Sequence, residues 1–476
     1  MNRQKETIHG ANPYMPLWEH VPDGEPRVFT YGGETRVYVY GSHDTERTAY
    51  CGRDYVVWSA PVDDLTDWKC HGTCYQAEDH SILFAPDVVQ KGNTFYMYAA
   101  EDHGSRIMVA RSDKPWGPFV DPVKTDLGFD PGVLVDDDGR VYAYWGFCKS
   151  WCGELNDDMA TIREGTLREH PLAHCHADWE KDDGHAGEDA FFEASSPRKI
   201  FGKYVYIYSR RVDWDVPELG VYGPCNGFLS YRWSDTPLDG FHGGGDISFN
   251  GGEILFGENG KGTMSFRWGN NHGSVMQVNG QWYIFYHRQT GRDEYSRQAM
   301  LEPIDAAQGE DGAVYLGKVA YHDGKPVSSM PVEMTSQGAH VNGLDARKWI
   351  SAGYCCHLYG GKHQAWIAPV YEKDPDISAP VRDLSDGLGV GFRYLQFGNN
   401  SPETVTVRAN VCRPVTVHVR LDARDGKEIA CFPVMPCQAE ITSSLTAPVI
   451  GKHAVYFVFH TEGEEPVGEF DRFTFD

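Results

Sequence analysis

The sequence predicts an all-β chain, a five-bladed β-propeller followed by a β-sandwich of jelly-roll type, and three observations predict it. Helical periodicity is scarce, and short aromatic and β-branched runs bounded by Gly, Asp and Asn turns dominate. One such run recurs five times, each copy just after a turn that contains glycine. Past the fifth copy the recurrence stops and alternating strands take over.

The recurring run is Val37–Ser42, Phe95–Ala100, Val141–Gly146, Tyr204–Ser209 and Trp282–His287, preceded by Gly32-Gly33, Gly92-Asn93, Asp138-Gly139, Gly202-Lys203 and Asn279-Gly280. Copies start roughly 46 to 78 residues apart, which suits one four-stranded blade per copy with loops of unequal length. About ten residues before each aromatic run stands a second element: Glu25-Pro-Arg-Val, Ala85-Pro-Asp-Val-Val, Asp130-Pro-Gly-Val-Leu, Glu193-Ala-Ser-Ser-Pro-Arg-Lys-Ile and His272-Gly-Ser-Val-Met. A polar opener, an apolar strand, a turn and an aromatic strand form one unit used five times. The repeats place the propeller at residues 1–325, with Pro326–Pro331 as linker. Alternating strands such as Thr404–Arg408, Val415–Leu421 and Ala454–Phe459 place a sandwich at 332–476.

Composition excludes several classes of function. No run of about 18 apolar residues could span a bilayer. The N-terminal segment is charged and lacks the apolar core of a secretory signal, so a cytoplasmic location is expected. The formal charge of -25 disfavours nucleic acid and anionic membrane as partners, whereas a neutral sugar is indifferent to that field. Twelve cysteines form no disulfide framework and are expected to be reduced. The pairs Cys70/Cys74 and Cys148/Cys152 and the cluster His174-Cys175-His176 lack the spacing of a structural zinc site. Aromatic residues, at 13%, suit both β cores and sugar stacking.

In a propeller the first strand of each blade lines the central axis, so residues that open those strands converge although they are remote in sequence. The openers here are Glu25, Asp87, Asp130, Glu193 and His272. Gathered carboxylates shift one another's pKa values, so that one stays protonated near neutrality while another stays ionised. Cleavage of a glycosidic bond needs that division of labour.

At this point the chain resembles glycoside hydrolase family 43. The resemblance is carried by Asn12-Pro13, Tyr38–Asp44, Ala85-Pro-Asp-Val88, Asp136-Asp-Asp-Gly139, Asn271–Ser274 and Trp282–His287 in their order and spacing. It implies three acids. Glu193 corresponds to the general acid, Glu188 being a rival that falls early in the repeat, and Asp87 to an Asp that tunes it. Glu25 corresponds to the general base, with Asp23 as the alternative because the family's Asp-Pro is here Glu25-Pro26. It further implies Phe84 as a stacking wall, Arg297 as a ligand of sugar hydroxyls, and His272 as an axial residue that could hold a structural calcium ion. No cofactor is implied for the chemistry. Asp130 is read as pinning its strand. The C-terminal domain resembles a family 6 carbohydrate-binding module through Gly391–Gly398, Ala454–Phe459 and Phe470–Phe475, although Arg472 stands where an aromatic is common.

The activity so implied is inverting, exo-acting release of α-L-arabinofuranosyl or β-D-xylosyl units from oligosaccharides. The alternatives are a β-galactofuranosidase or exo-galactanase of the same fold, and a sugar-binding propeller without turnover. Oligomeric state is not legible in the sequence.

Overall fold

The computed structural model describes residues 5–172, 190–212, 225–252, 254–256, 262–266, 269–290 and 293–476. Glu188 and the His174-Cys175-His176 cluster lie outside the described residues. None of the described cysteines is disulfide-bonded.

Five antiparallel sheets follow one another, each with its strands in sequence order, which makes each sheet one blade. Blade 1 is Glu25–Tyr31, Glu34–Tyr40, Tyr55–Pro61 and Lys69–Tyr75; blade 2 is Phe84–Lys91, Thr94–Ala100, Arg106–Ser112 and Val120–Lys124. Blade 3 is Gly132–Val135, Val141–Trp145, Trp151–Leu155 and Arg168–Glu169; blade 4 is Phe191–Ile200, Lys203–Val212, Cys225–Ser234 and His242–Phe249. Blade 5 is Ser274–Val278, Gln281–Gln289, Arg297–Gln308, Val314–His322 and Lys325–Met330. A parallel bridge from Gly24 to Gly273 joins blade 1 to blade 5 and closes the ring.

The predicted aromatic runs are the second strands of the blades. Blades splay as they leave the axis, and large side chains fill the wedges between neighbours. Phe29, Tyr38 and Tyr40 meet Val88 and Phe95 between blades 1 and 2, and Tyr142 and Tyr144 meet Tyr206 and Tyr208 between blades 3 and 4. Buried Tyr98 satisfies its hydroxyl by donating to the Met159 carbonyl of the next blade at 2.9 Å. In the turn between the first two strands of blade 5, Gly280 takes φ 84°, a conformation open to glycine at little cost.

The predicted linker is corrected: Lys325–Met330 is a strand paired with Val314–His322, so the propeller sheets run on to Met330. Its one proline, Pro326, sits at an exposed sheet edge, where a missing N–H is harmless. The sandwich strands begin at Leu344–Asp345. One sheet is built on Leu388–Gln396, Lys452–His460, Val415–Leu421 and Glu428–Val434, the other on Gly468–Phe475, Thr404–Val411 and Glu440–Ser444. Val415, Val417, Val419 and Leu421 point inward in strict alternation, the period-2 pattern of a half-buried strand. One continuous apolar cluster runs from Val205, Ile207 and Ile284 of the propeller through Met334 and Tyr354 to Phe392 and Phe473 of the sandwich.

Candidate active site

The inner strands stack side chains in rungs around the axis. Residues two apart on a strand share a face and lie about 6.6–6.8 Å apart along it, so successive rungs are separate layers.

The outermost rung holds Asp23, Ala85, Asp130, Glu193 and His272, one residue from each blade, and these line a pocket of about 560 Å³. Its wall includes Tyr50, Phe84, Phe129, Phe147 and Phe192. The phenylalanines form an arc, with ring centroids 5.9 Å apart for Phe84 and Phe129, 5.3 Å for Phe129 and Phe147, and 5.1 Å for Phe147 and Phe192.

The next rung is sealed. Glu25 is 1% exposed and Asp87 fully buried. Oε2 of Glu25 accepts from Arg198 at 2.7 Å and from the Ser196 hydroxyl at 3.1 Å. Asp87 accepts from Arg27 on both oxygens at 2.7 Å, and from the amides of Val88 at 2.6 Å and Val133 at 2.7 Å. Arg198 also reaches the Val275 carbonyl of blade 5 at 3.1 Å, so this plug ties all five blades together. Gly132 fills the same rung in blade 3, where a Cβ would come within 2.2 Å of the Ser195 carbonyl oxygen. In blade 4 a register shift between Glu193 and Ser196 re-aims the strand, so that Ser196 rather than Ser195 faces Glu25.

The expected trio is therefore only partly gathered. Glu193 lines the pocket. Glu25 and Asp87 do not: each lies one rung too deep and is neutralised by an arginine, and in their blades the pocket is lined by Asp23 and Ala85. Asp130, read as a strand pin, lines the pocket and also accepts from the Ala194 amide at 3.1 Å. Asp23 and Asp130 both take positive φ, 58° and 50°, as does Ala194 beside Glu193 at 67°.

The pocket acids are pushed in opposite directions. Burial and the charge of Asp130 raise Glu193 to about 8 against the pull of His272, and Nδ2 of Asn226 lies 3.4 Å from its Oε1. Burial, reinforced by Asp23 and opposed by His272, raises Asp130 to about 6. Burial resists ionisation of Asp23, but Arg297, with His272 and the Ser42 hydroxyl, outweighs it and holds its carboxyl below the usual range.

Arg297 lines the pocket as expected, yet its guanidinium is committed to protein partners. It reaches both oxygens of Asp23 at 3.0 and 3.1 Å and both oxygens of Asp44 at 2.8 and 2.9 Å. His287, lowered to about 3 by burial, is neutral. Its Nδ1 accepts from the Asp23 amide at 3.2 Å and its Nε2 lies 3.0 Å from Oδ1 of Asn270.

His272 stands between two carboxylates, Nε2 3.8 Å from Oε1 of Glu25 and Nδ1 3.7 Å from Oδ2 of Asp130. Burial opposes its protonation, but those carboxylates and Asp23 raise it to about 9. These residues fit an imidazolium that bridges two acids. The implied calcium ion takes six to eight oxygen ligands, water among them, of which the two carboxylates that approach His272 would supply a part, one of them shared with Arg198.

Sequence reasoning missed Asp44, Tyr50, Asn270 and Glu294, which come from loops between the repeated strands, and Asn226, which opens the third strand of blade 4. A legible signal would have corrected the trio: Phe84-Ala85, Phe129-Asp130 and Phe192-Glu193 are equivalent pairs, a wall aromatic followed by the residue that faces the pocket. That alignment sets Asp87 two residues too far along.

Comparison with known proteins bears on this arrangement. Residues 23–185 match the pattern of glycosyl hydrolases family 43. A xylosidase/arabinosidase of Thermoclostridium stercorarium is 32% identical over 96% of this chain and 98% of its own length. Xylosidase/arabinosidase 43A of Humicola insolens is 29% identical over 57% of this chain and 89% of its own. An arabinoxylan arabinofuranohydrolase of Paenibacillus polymyxa is 26% identical over 100% of this chain and 76% of its own.

Proposed function

The chain belongs to glycosyl hydrolases family 43, and from that premise we propose that it is an inverting, exo-acting glycosidase that releases α-L-arabinofuranosyl or β-D-xylosyl units from oligosaccharides, with Glu193 as general acid, Asp23 as general base and Asp130 as the charge that keeps Glu193 protonated. One observation carries the assignment: in a single pocket, Glu193 is raised to about 8 while Asp23 is lowered. Near neutral pH the first holds its proton and the second does not.

Glu193 gives its proton to the glycosidic oxygen as the bond to the anomeric carbon breaks. Asp23 takes a proton from a water that attacks the same carbon from the opposite face, so configuration inverts. Asp130, about 6 and ionised at neutral pH, opposes a second negative charge on Glu193 until the leaving group needs its proton. The arc of phenylalanines offers the faces on which a sugar ring stacks, and the sealed rung of Glu25, Arg27, Asp87 and Arg198 closes the floor. A blind pocket accepts a chain end, which supports exo action. Names of the relatives carry both xylosidase and arabinosidase activities, which supports the substrate class.

The test is a panel of aryl glycosides with wild type, Glu193→Gln, Asp23→Asn and Asp130→Asn, with the anomer first released read by NMR. Turnover of an arabinofuranoside or xyloside with inversion, lost in Glu193→Gln and Asp23→Asn, is expected. Retained configuration, or an Asp23→Asn variant as fast as wild type, sinks the assignment. The reading of a sugar-binding propeller without turnover rested on Glu25 standing in for the base, and Asp23 in the pocket removes that reason.

A further inference from the structure

Part of the pocket wall is built from two loops, one from blade 1 (residues 43–51) and one from blade 5 (residues 289–290 and 293–297), and both are touched by the same piece of the sandwich. The blade 1 loop supplies Asp44, Tyr50 and Cys51 to the site. The blade 5 loop supplies Glu294 and Arg297. The loops are locked to each other: the Tyr50 hydroxyl donates to Glu294, Asp44 holds Arg297, and the Tyr50 ring lies 5.2 Å from the Arg297 guanidinium.

The sandwich strand Trp366–Ile367, fixed in its own sheet by pairing with Val381–Arg382, continues into a segment that reaches both loops. The Ile367 amide donates to the Thr290 carbonyl at 3.1 Å, and Thr290 closes its loop by donating twice to the Ser296 carbonyl, from its amide at 3.0 Å and its hydroxyl at 2.7 Å. Three residues along, Arg47 of the other loop donates to the Val370 carbonyl and lays its guanidinium 4.3 Å from the Tyr371 ring centroid. The other end of Arg47 donates to the Trp18 carbonyl, so the residue spans from propeller to sandwich.

We propose that segment 366–371 of the sandwich is a positioning element of the sugar pocket, acting through Arg47 and Thr290 on Tyr50, Asp44 and Arg297 and thereby on the seat of Asp23. The second domain is then part of the machinery that shapes the site. Neither Arg47 nor Tyr371 lines the pocket, so they act on the sugar only through the loops they hold. The inference rests on this pocket being where the sugar binds.

Four variants test it. Tyr371→Ala and Arg47→Ala remove the contact, Tyr371→Phe keeps the ring, and Lys348→Ala breaks a sandwich contact to Glu6 at another place. Loss of one cation–π pair and its loop ordering is expected to raise KM about three- to tenfold in Tyr371→Ala and Arg47→Ala, with kcat changing less. Tyr371→Phe and Lys348→Ala should keep the wild-type KM. Independently of activity, hydrogen exchange in peptides covering 43–51 and 289–297 should quicken in the first two variants alone. Unchanged exchange in both peptides, in protein that melts where wild type does, overturns the proposal even if the enzyme is active. A wild type that turns over no glycoside would fail the functional reading, while the exchange result would still decide whether the segment holds the loops.

Discussion

Arg297 lies between Asp23 and Asp44, gripping both oxygens of the first from Nη1 at 3.0 and 3.1 Å and both oxygens of the second from Nη2 and Nε at 2.8 and 2.9 Å. A planar guanidinium can hold two carboxylates in fixed directions at once, which an ammonium cannot. Arg297→Lys should therefore leave a charge near Asp23 but lose its orientation. The expected result is a fall in kcat on the order of a hundredfold, the cost of misplacing a reacting group by about 1 Å. Its acidic pH limb should move to higher pH as Asp23 becomes easier to protonate, and a pH profile of kcat/KM checks this.

The basic limb belongs to Glu193, which must be protonated to act. Activity should fall as pH rises through about 8. Asp130→Asn removes the charge that raises Glu193, so in that variant the basic limb should shift to lower pH while the acidic limb, set by Asp23, stays where it is. A basic limb that does not move in Asp130→Asn would separate Asp130 from Glu193.

Asp87 and Glu25 should behave as structural ions. Removing one partner of a buried pair leaves the other charged and alone, at a cost of about 3–5 kcal/mol. Asp87→Asn and Glu25→Gln should melt well below wild type in denaturant titrations, with kcat per folded molecule within a few-fold of wild type. Asp23→Asn should show the reverse, near-wild-type stability with kcat lowered about 10²–10⁴-fold.

His287 holds the Asp23 amide through a neutral ring. His287→Phe leaves that buried N–H without an acceptor, a penalty of about 1–3 kcal/mol at a residue already at positive φ. Reduced kcat is expected, with no pH limb gained or lost between 5 and 8, because the native ring does not titrate there. A limb that disappears in His287→Phe would show that His287 takes part in proton transfer.

Five blades, the sandwich beyond them and the place of Glu193 at the mouth of its blade were legible in the sequence, because each rests on a short-range pattern. The aromatic strand after its glycine turn repeats whatever the loops do, and Glu193 keeps its place relative to Gly202. Asp44, Tyr50 and Glu294 were not legible, since they sit in loops of irregular length with no counterpart in other blades. Nor was the reach of the sandwich to Arg47 and Thr290, which joins residues more than seventy positions apart by single hydrogen bonds.

What the sequence by itself determined is that carboxylates from several blades must meet near one axis. Which of them would line the pocket was left to the tertiary structure. Asp23 and Glu25 have the spacing of one strand face, and the period of two that reveals a face says nothing about depth along it. Depth is set by where neighbouring blades place Arg27, Arg198, Gly132 and the irregularity after Glu193, and only the closed ring brings those residues together.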